Sequence, residues 1–155
     1  MSEVSNKSNG EIVIRPVDDL LRKYAESHQH PTNEVIHFVC VPVIMWTVLG
    51  LIWAAHPLLA LLAASLALVY YVSLSASFAV GMALMSAAML GLLSLLPPAM
   101  VLPCALAAFV VAWIFQFVGH KIEGKKPSFF EDVRSLLIGP LFVLSFLYRR
   151  LRIFY

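Results

Sequence analysis

From Val35 to His120 the chain carries no aspartate, glutamate, lysine or arginine, an uncharged run of 86 residues. One apolar helix crosses a bilayer with about 20 residues, so this run is several crossings long. A soluble domain of 155 residues has no interior large enough to hide it. The chain is 61% hydrophobic and 13% charged, far from the balance of a soluble domain. The fold class that follows is all-α: a polytopic membrane protein embedded in the lipid bilayer. The net charge is only +2 and no basic tract is present, so a nucleic-acid partner is excluded.

The punctuation inside the run sets the spans. The pattern predicts four transmembrane helices at about 35–55, 58–74, 77–96 and 99–118, closed by His56-Pro57, by a weak break near Val72–Ser77 and by Pro97-Pro98. The middle boundary rests on length alone, since Leu58 to Leu96 is too long for one crossing. Residues 1–15 read as a flexible polar tail, and residues 16–155 as a single helical membrane domain. Val17, Leu20, Leu21, Tyr24 and His28 recur at helical steps, which predicts an interfacial helix broken by Pro31. Thr32 or Asn33 is the expected cap of the next helix. Ser128 and Glu131 read as a capping box. The C-terminal segment, 128–154, is expected to be interfacial or re-entrant, being short and interrupted by Gly139-Pro140.

Four spans return the chain to the face it started from. Seven of the 11 Lys and Arg residues follow His120 and four precede Val35, with none in the connections at His56-Pro57 and Pro97-Pro98. Both termini are therefore expected in the cytoplasm, in the inner membrane of a bacterium or the endoplasmic reticulum of a eukaryote. No apolar leader precedes the first span, which is expected to direct its own insertion. Cys40 and Cys104 fall near opposite faces and are expected to stay reduced. The oligomeric state is not legible.

Span counting also sorts the five histidines. His37 and His56 lie at opposite ends of one helix, roughly 28 Å apart at the helical rise. His120 returns to the face of His37, and His28 and His30 belong there too. Imidazole suits iron, zinc, copper or nickel, so His28, His37 and His120 are the candidate ligands, with His30 a fourth. A ligating histidine needs a partner for its second nitrogen. Tyr24, Asn33 and Gln116 each stand four residues before one of the three, and Glu123 follows His120 by three. Glu123 reads as a ligand, a base or a partner of Lys121.

The pattern Tyr24-x-x-x-His28-x-x-Pro31-x-Asn33-x-x-x-His37, with Trp113-Ile-Phe-Gln116-Phe-Val-Gly119-His120, resembles the small membrane family of iron(II)-dependent 2-hydroxy fatty acid dioxygenases. The resemblance implies Fe(2+) as cofactor. It also implies a reaction in which a 2-hydroxy long-chain fatty acid and O2 give the fatty acid one carbon shorter, a fatty acid α-oxidation. Lys121, Lys125 and Lys126 are then candidates for neutralising the substrate carboxylate. Two other readings stand beside it: a membrane metal- or lipid-binding scaffold without turnover, and a zinc-dependent lipid hydrolase with Glu123 as its base.

Overall fold

Prolines set where most of the helices begin. Pro16, Pro31, Pro57 and Pro98 each occupy a first helical position, where the missing N–H costs nothing. A computed structural model describes residues 15–155. Its helices are α1 (Pro16–Ala25), α2 (Pro31–Ala55), α3 (Pro57–Leu74), α4 (Ala76–Ser94), α5 (Pro98–Glu123) and α6 (Ser135–Leu151), with a short 3-10 turn over Ser128–Phe130. No strand occurs among the described residues. The protein is all-helical, and α2 to α5 are the four helices long and apolar enough to cross a membrane. Their outer faces are greasy: Val69 is 69% and Leu84 68% exposed, tolerable only against lipid.

The connections between α2, α3 and α4 are one residue each. His56 and Ser75 share an extended backbone at φ −166°. His56 Nδ1 accepts from the Leu58 N–H at 3.2 Å, and Ser75 Oγ from the Phe78 N–H at 3.5 Å. Each side chain starts the next helix while its own N–H closes the previous one. This is how the weak boundary at Val72–Ser77 is made without glycine or proline.

The same device starts α2. His30, not Thr32 or Asn33, is the cap, and its Nδ1 accepts from the Thr32 N–H at 3.2 Å. Pro31 begins this helix, which moves the cap back to the residue before it. The capping box at Ser128–Glu131 does not form. The chain makes one 3-10 turn there, and α6 starts only at Ser135. The Asp132 carboxylate instead accepts the Arg134 N–H at 2.9 Å.

Of the polar segment expected over 1–15, all but Arg15 lies outside the described residues. Arg15 precedes α1 and pairs with Asp18 at 2.7 Å. The C-terminal segment departs most from expectation. Gly139 and Pro140 do not interrupt α6; both are buried inside it. Gly139 lies against the Tyr24 hydroxyl and Val41, so the breaker residues serve close packing. Two tyrosines fasten α6 to the spans: Tyr71 donates to the Leu137 carbonyl at 2.9 Å, and Tyr148 to that of Ser77 at 2.6 Å. Val17 and Leu21 of α1, Phe78 and Met82 of α4, and Ile138 and Leu141 of α6 share one core. A second core, around Leu49, Met89, Leu93 and Val101, fills the far end of the bundle. The main contact between α2 and α5 is close because Gly50 faces Ala105. Cys40 and Cys104 are free thiols.

Candidate metal centre

A backbone carbonyl one turn back orients the ring of His28 and that of His37. His28 Nδ1 is 2.7 Å from the Tyr24 carbonyl, and His37 Nδ1 is 2.9 Å from that of Asn33. A carbonyl only accepts, so each Nδ1 carries the proton and each Nε2 keeps its lone pair. His120 sits on the last turn of α5, two turns past Trp113. Its Nδ1 faces the backbone near Lys125 without a well-formed hydrogen bond.

All three rings are buried and their ligand atoms lie within 4.8 Å of one another. His37 Nε2 and His120 Nε2 are 3.1 Å apart. His28 Nε2 is buried with no partner. The His37 lone pair has only the His120 ring nitrogen as a partner, and the buried orphan nitrogen of His28 is costly. A shared cation resolves both: two nitrogens about 2.1 Å from one ion at a right angle sit about 3.0 Å apart. The donor set fits a metal with positions left open. Burial lowers the pKa of His28, against the opposing pull of the Tyr24 carbonyl and the Glu123 charge, so the ring is neutral and ready to ligate at pH 7. Burial raises that of the stacked Tyr24, whose ring lies 4.2 Å from the His28 ring at 8°.

The other expected site residues take different places. His30 is exposed at the α2 cap and outside the cluster. Asn33 serves His37 through its carbonyl, while its side-chain amide donates to the Ser27 carbonyl at 3.1 Å and to Glu123 at 3.2 Å. Glu123 holds the α1–α2 linker. One oxygen accepts the Gln29 N–H at 3.1 Å and the other the His30 N–H at 2.7 Å. Glu123 therefore ties the end of α5 to the loop that carries His28. It makes no salt bridge to Lys121 among the described residues. Gln116 is buried one turn before His120 and makes no hydrogen bond to it.

The three histidines open into an apolar cavity of about 350 Å³ between α2, α3, α5 and α6, within the size range of small-molecule sites. Gln116, Tyr71 and Ser128 are among its polar lining residues. None of Lys121, Lys125 and Lys126 lines it. Lys125 Nζ instead donates to the Glu26 carbonyl.

Three contributions to the site are not legible in the sequence. Phe142 of α6 packs 5.7 Å from the His28 ring, and no spacing rule links residues so far apart. Ser128 was read as a helix cap, but its hydroxyl is buried in the cavity wall without a partner. A Cβ on Gly119 would collide with Asn33 Oδ1. A glycine inside an otherwise helical pattern was the available signal for that last contact.

No curated protein and no solved structure matches the chain. A family model does, over residues 14–151, nearly the whole length: the one described as 2-hydroxy-palmitic acid dioxygenase Mpo1-like. With that match and a buried trio of histidines above an apolar chamber, the chain belongs to the Mpo1-like family.

Proposed function

We propose that this membrane protein is an iron(II)-dependent dioxygenase that shortens a 2-hydroxy fatty acid by one carbon. The observation that carries the reading is the junction of two environments: three buried nitrogens at the head of a cavity with apolar walls. Such a cavity suits a molecule with a chelating head and a long tail. Atoms and electrons balance for the 2-hydroxy acid plus O2 giving the shortened acid, CO2 and water. Two carbons lose four electrons in total and O2 accepts four, so no further reductant is needed. Iron(II) held by His28, His37 and His120 would supply redox chemistry and open positions for O2 and for the substrate's hydroxyl and carboxylate oxygens.

The chain's own residues do the rest. The Tyr24 and Asn33 carbonyls hold two imidazoles in the ligating tautomer. Tyr24 and Phe142 cover His28 and keep water from it. Gln116 offers an amide to the substrate head from the cavity wall, and Ser128 offers its unpartnered hydroxyl to the carboxylate. Lys121, Lys125 and Lys126, outside the wall, are left to positive-inside topology.

The hydrolase reading is disfavoured by Glu123, both of whose oxygens are occupied by the α1–α2 linker rather than free to act as a base. The test is metal analysis of protein purified without oxygen, followed by O2 uptake on adding 2-hydroxypalmitate. Iron with uptake supports the dioxygenase. Zinc without uptake would replace it with hydrolysis, and bound metal without turnover would leave a scaffold.

The site face is proposed to be cytoplasmic, from the Lys and Arg distribution. A single cysteine placed at Ser8 should then label from the cytoplasm and one at His56 from the opposite side, in a background lacking Cys40 and Cys104. Labelling of both from one side would overturn this orientation.

A further inference from the structure

The cavity below the histidines has a length and a bore that can be read residue by residue. On α2 its wall includes His37, Val41, Met45, Val48 and Ile52. From His37 to Ile52 that stripe descends about 22 Å at the helical rise. The facing wall is α3, through Ala63, Ala64 and Ala67. Leu61, Leu62 and Leu66 of the same helix point outward, at 45%, 55% and 62% exposure. Below Tyr71, which lines the chamber nearer the histidines, the helix thus turns its bulk to the lipid and its smallest side chains to the chamber. Because His56 alone joins the two helices, residues equally distant from it lie at one level. Ala67 faces the depth of Met45, and Ala64 that of Val48.

We propose that Ala67 and Ala64 gauge the acyl tail, and that the floor at Leu49 and Ile52 fixes the longest tail accepted. The inference rests on the dioxygenase reading for the substrate's head but on the cavity alone for its tail. An extended chain advances about 1.25 Å per carbon at ordinary bond lengths and angles. The stripe therefore holds about 17 or 18 carbons. The Ala67 level lies about 12 Å below His37, or about 10 carbons, and the Ala64 level about 16 Å, or about 13.

The experiment is competition of 2-hydroxy acids of about 8 to about 18 carbons against a fluorescent fatty acid. It is done with oxygen excluded, and metal content is measured alongside. Ala67→Phe should bind acids up to about 10 carbons as wild type does and lose longer ones, at roughly 10-fold or more per added carbon. Ala64→Phe should move the limit to about 13. If both variants keep their metal but weaken every length alike, the gauge is wrong. Should either variant fail to fold, Ile52→Ala decides: the accepted tail should lengthen by about two carbons, and an unchanged limit would sink the proposal. If plain fatty acids show the same limits but no 2-hydroxy acid binds better, the gauge stands and the dioxygenase reading falls.

Discussion

His37→Ala should abolish turnover and strip the metal, while the protein still inserts in the membrane. His37 sits at the middle of the trio, its ring 4.1 Å from that of His28 and 4.7 Å from that of His120. Removing it leaves two ligands and a hole. Insertion is driven by the apolar spans, which the substitution does not touch. His28→Ala and His120→Ala should behave alike. The contrast lies in the two histidines that cap helices. His56→Ala and His30→Ala each remove one side-chain acceptor for a helix N-terminus, at a cost of about 1 kcal/mol in stability. Both should retain metal, His56→Ala in full because it lies roughly 28 Å down α2. Metal per protein and O2 uptake, measured on all five variants, make the comparison. Metal loss in His56→Ala equal to that in His37→Ala, with both folded, would disprove the single-face site.

Gly119→Ala should weaken metal binding by roughly 10- to 100-fold, the usual loss when a ligand's support is disturbed. Helix propensity alone points the other way, since alanine is better than glycine inside a helix by about 1 kcal/mol. The added methyl meets Asn33 Oδ1 and, at 3.3 Å, its Cγ. Asn33 cannot move freely. Its amide holds Ser27 and Glu123, and its carbonyl holds the His37 ring. One methyl group therefore disturbs the loop of His28 and the orientation of His37 together. Gly91→Ala is the control: a Cβ there meets nothing within 4 Å, so metal binding should be unchanged and stability equal or better. Equal metal affinity in both variants would refute the role given to the Gly119–Asn33 contact.

The spans were legible because lipid demands a simple pattern, long apolar runs between prolines and charges. Counting them was enough to bring His37 and His120 to one face. The three histidines lie together because α5 runs to Glu123, a turn beyond the expected end of the span, and stops where Gly124 adopts φ 73°. The supporting contacts were less legible. Asn33 and Tyr24 stand at the spacing that serves the ligands, but they do so through backbone carbonyls, which every residue possesses. Glu123 holds residues more than 90 positions away, and charge alone does not distinguish such a clamp from a ligand. Gly139-Pro140 carries the local signature of a break, and tertiary packing overrides it.

The placement of α6 has a consequence for biosynthesis. Chains emerge from the ribosome N-terminus first, so every span and all three clustered histidines are made before the segment that completes the chamber. Leu136, Leu137, Gly139 and Pro140 close one wall, and Phe142 shields His28. A premature stop just before Ser135 would leave the four spans with the chamber unsealed, and α1, which packs against α6, without the partner that holds Tyr24 and His28 in place. In the intact chain, the three histidines are most open to their surroundings in the interval between synthesis of His120 and docking of α6.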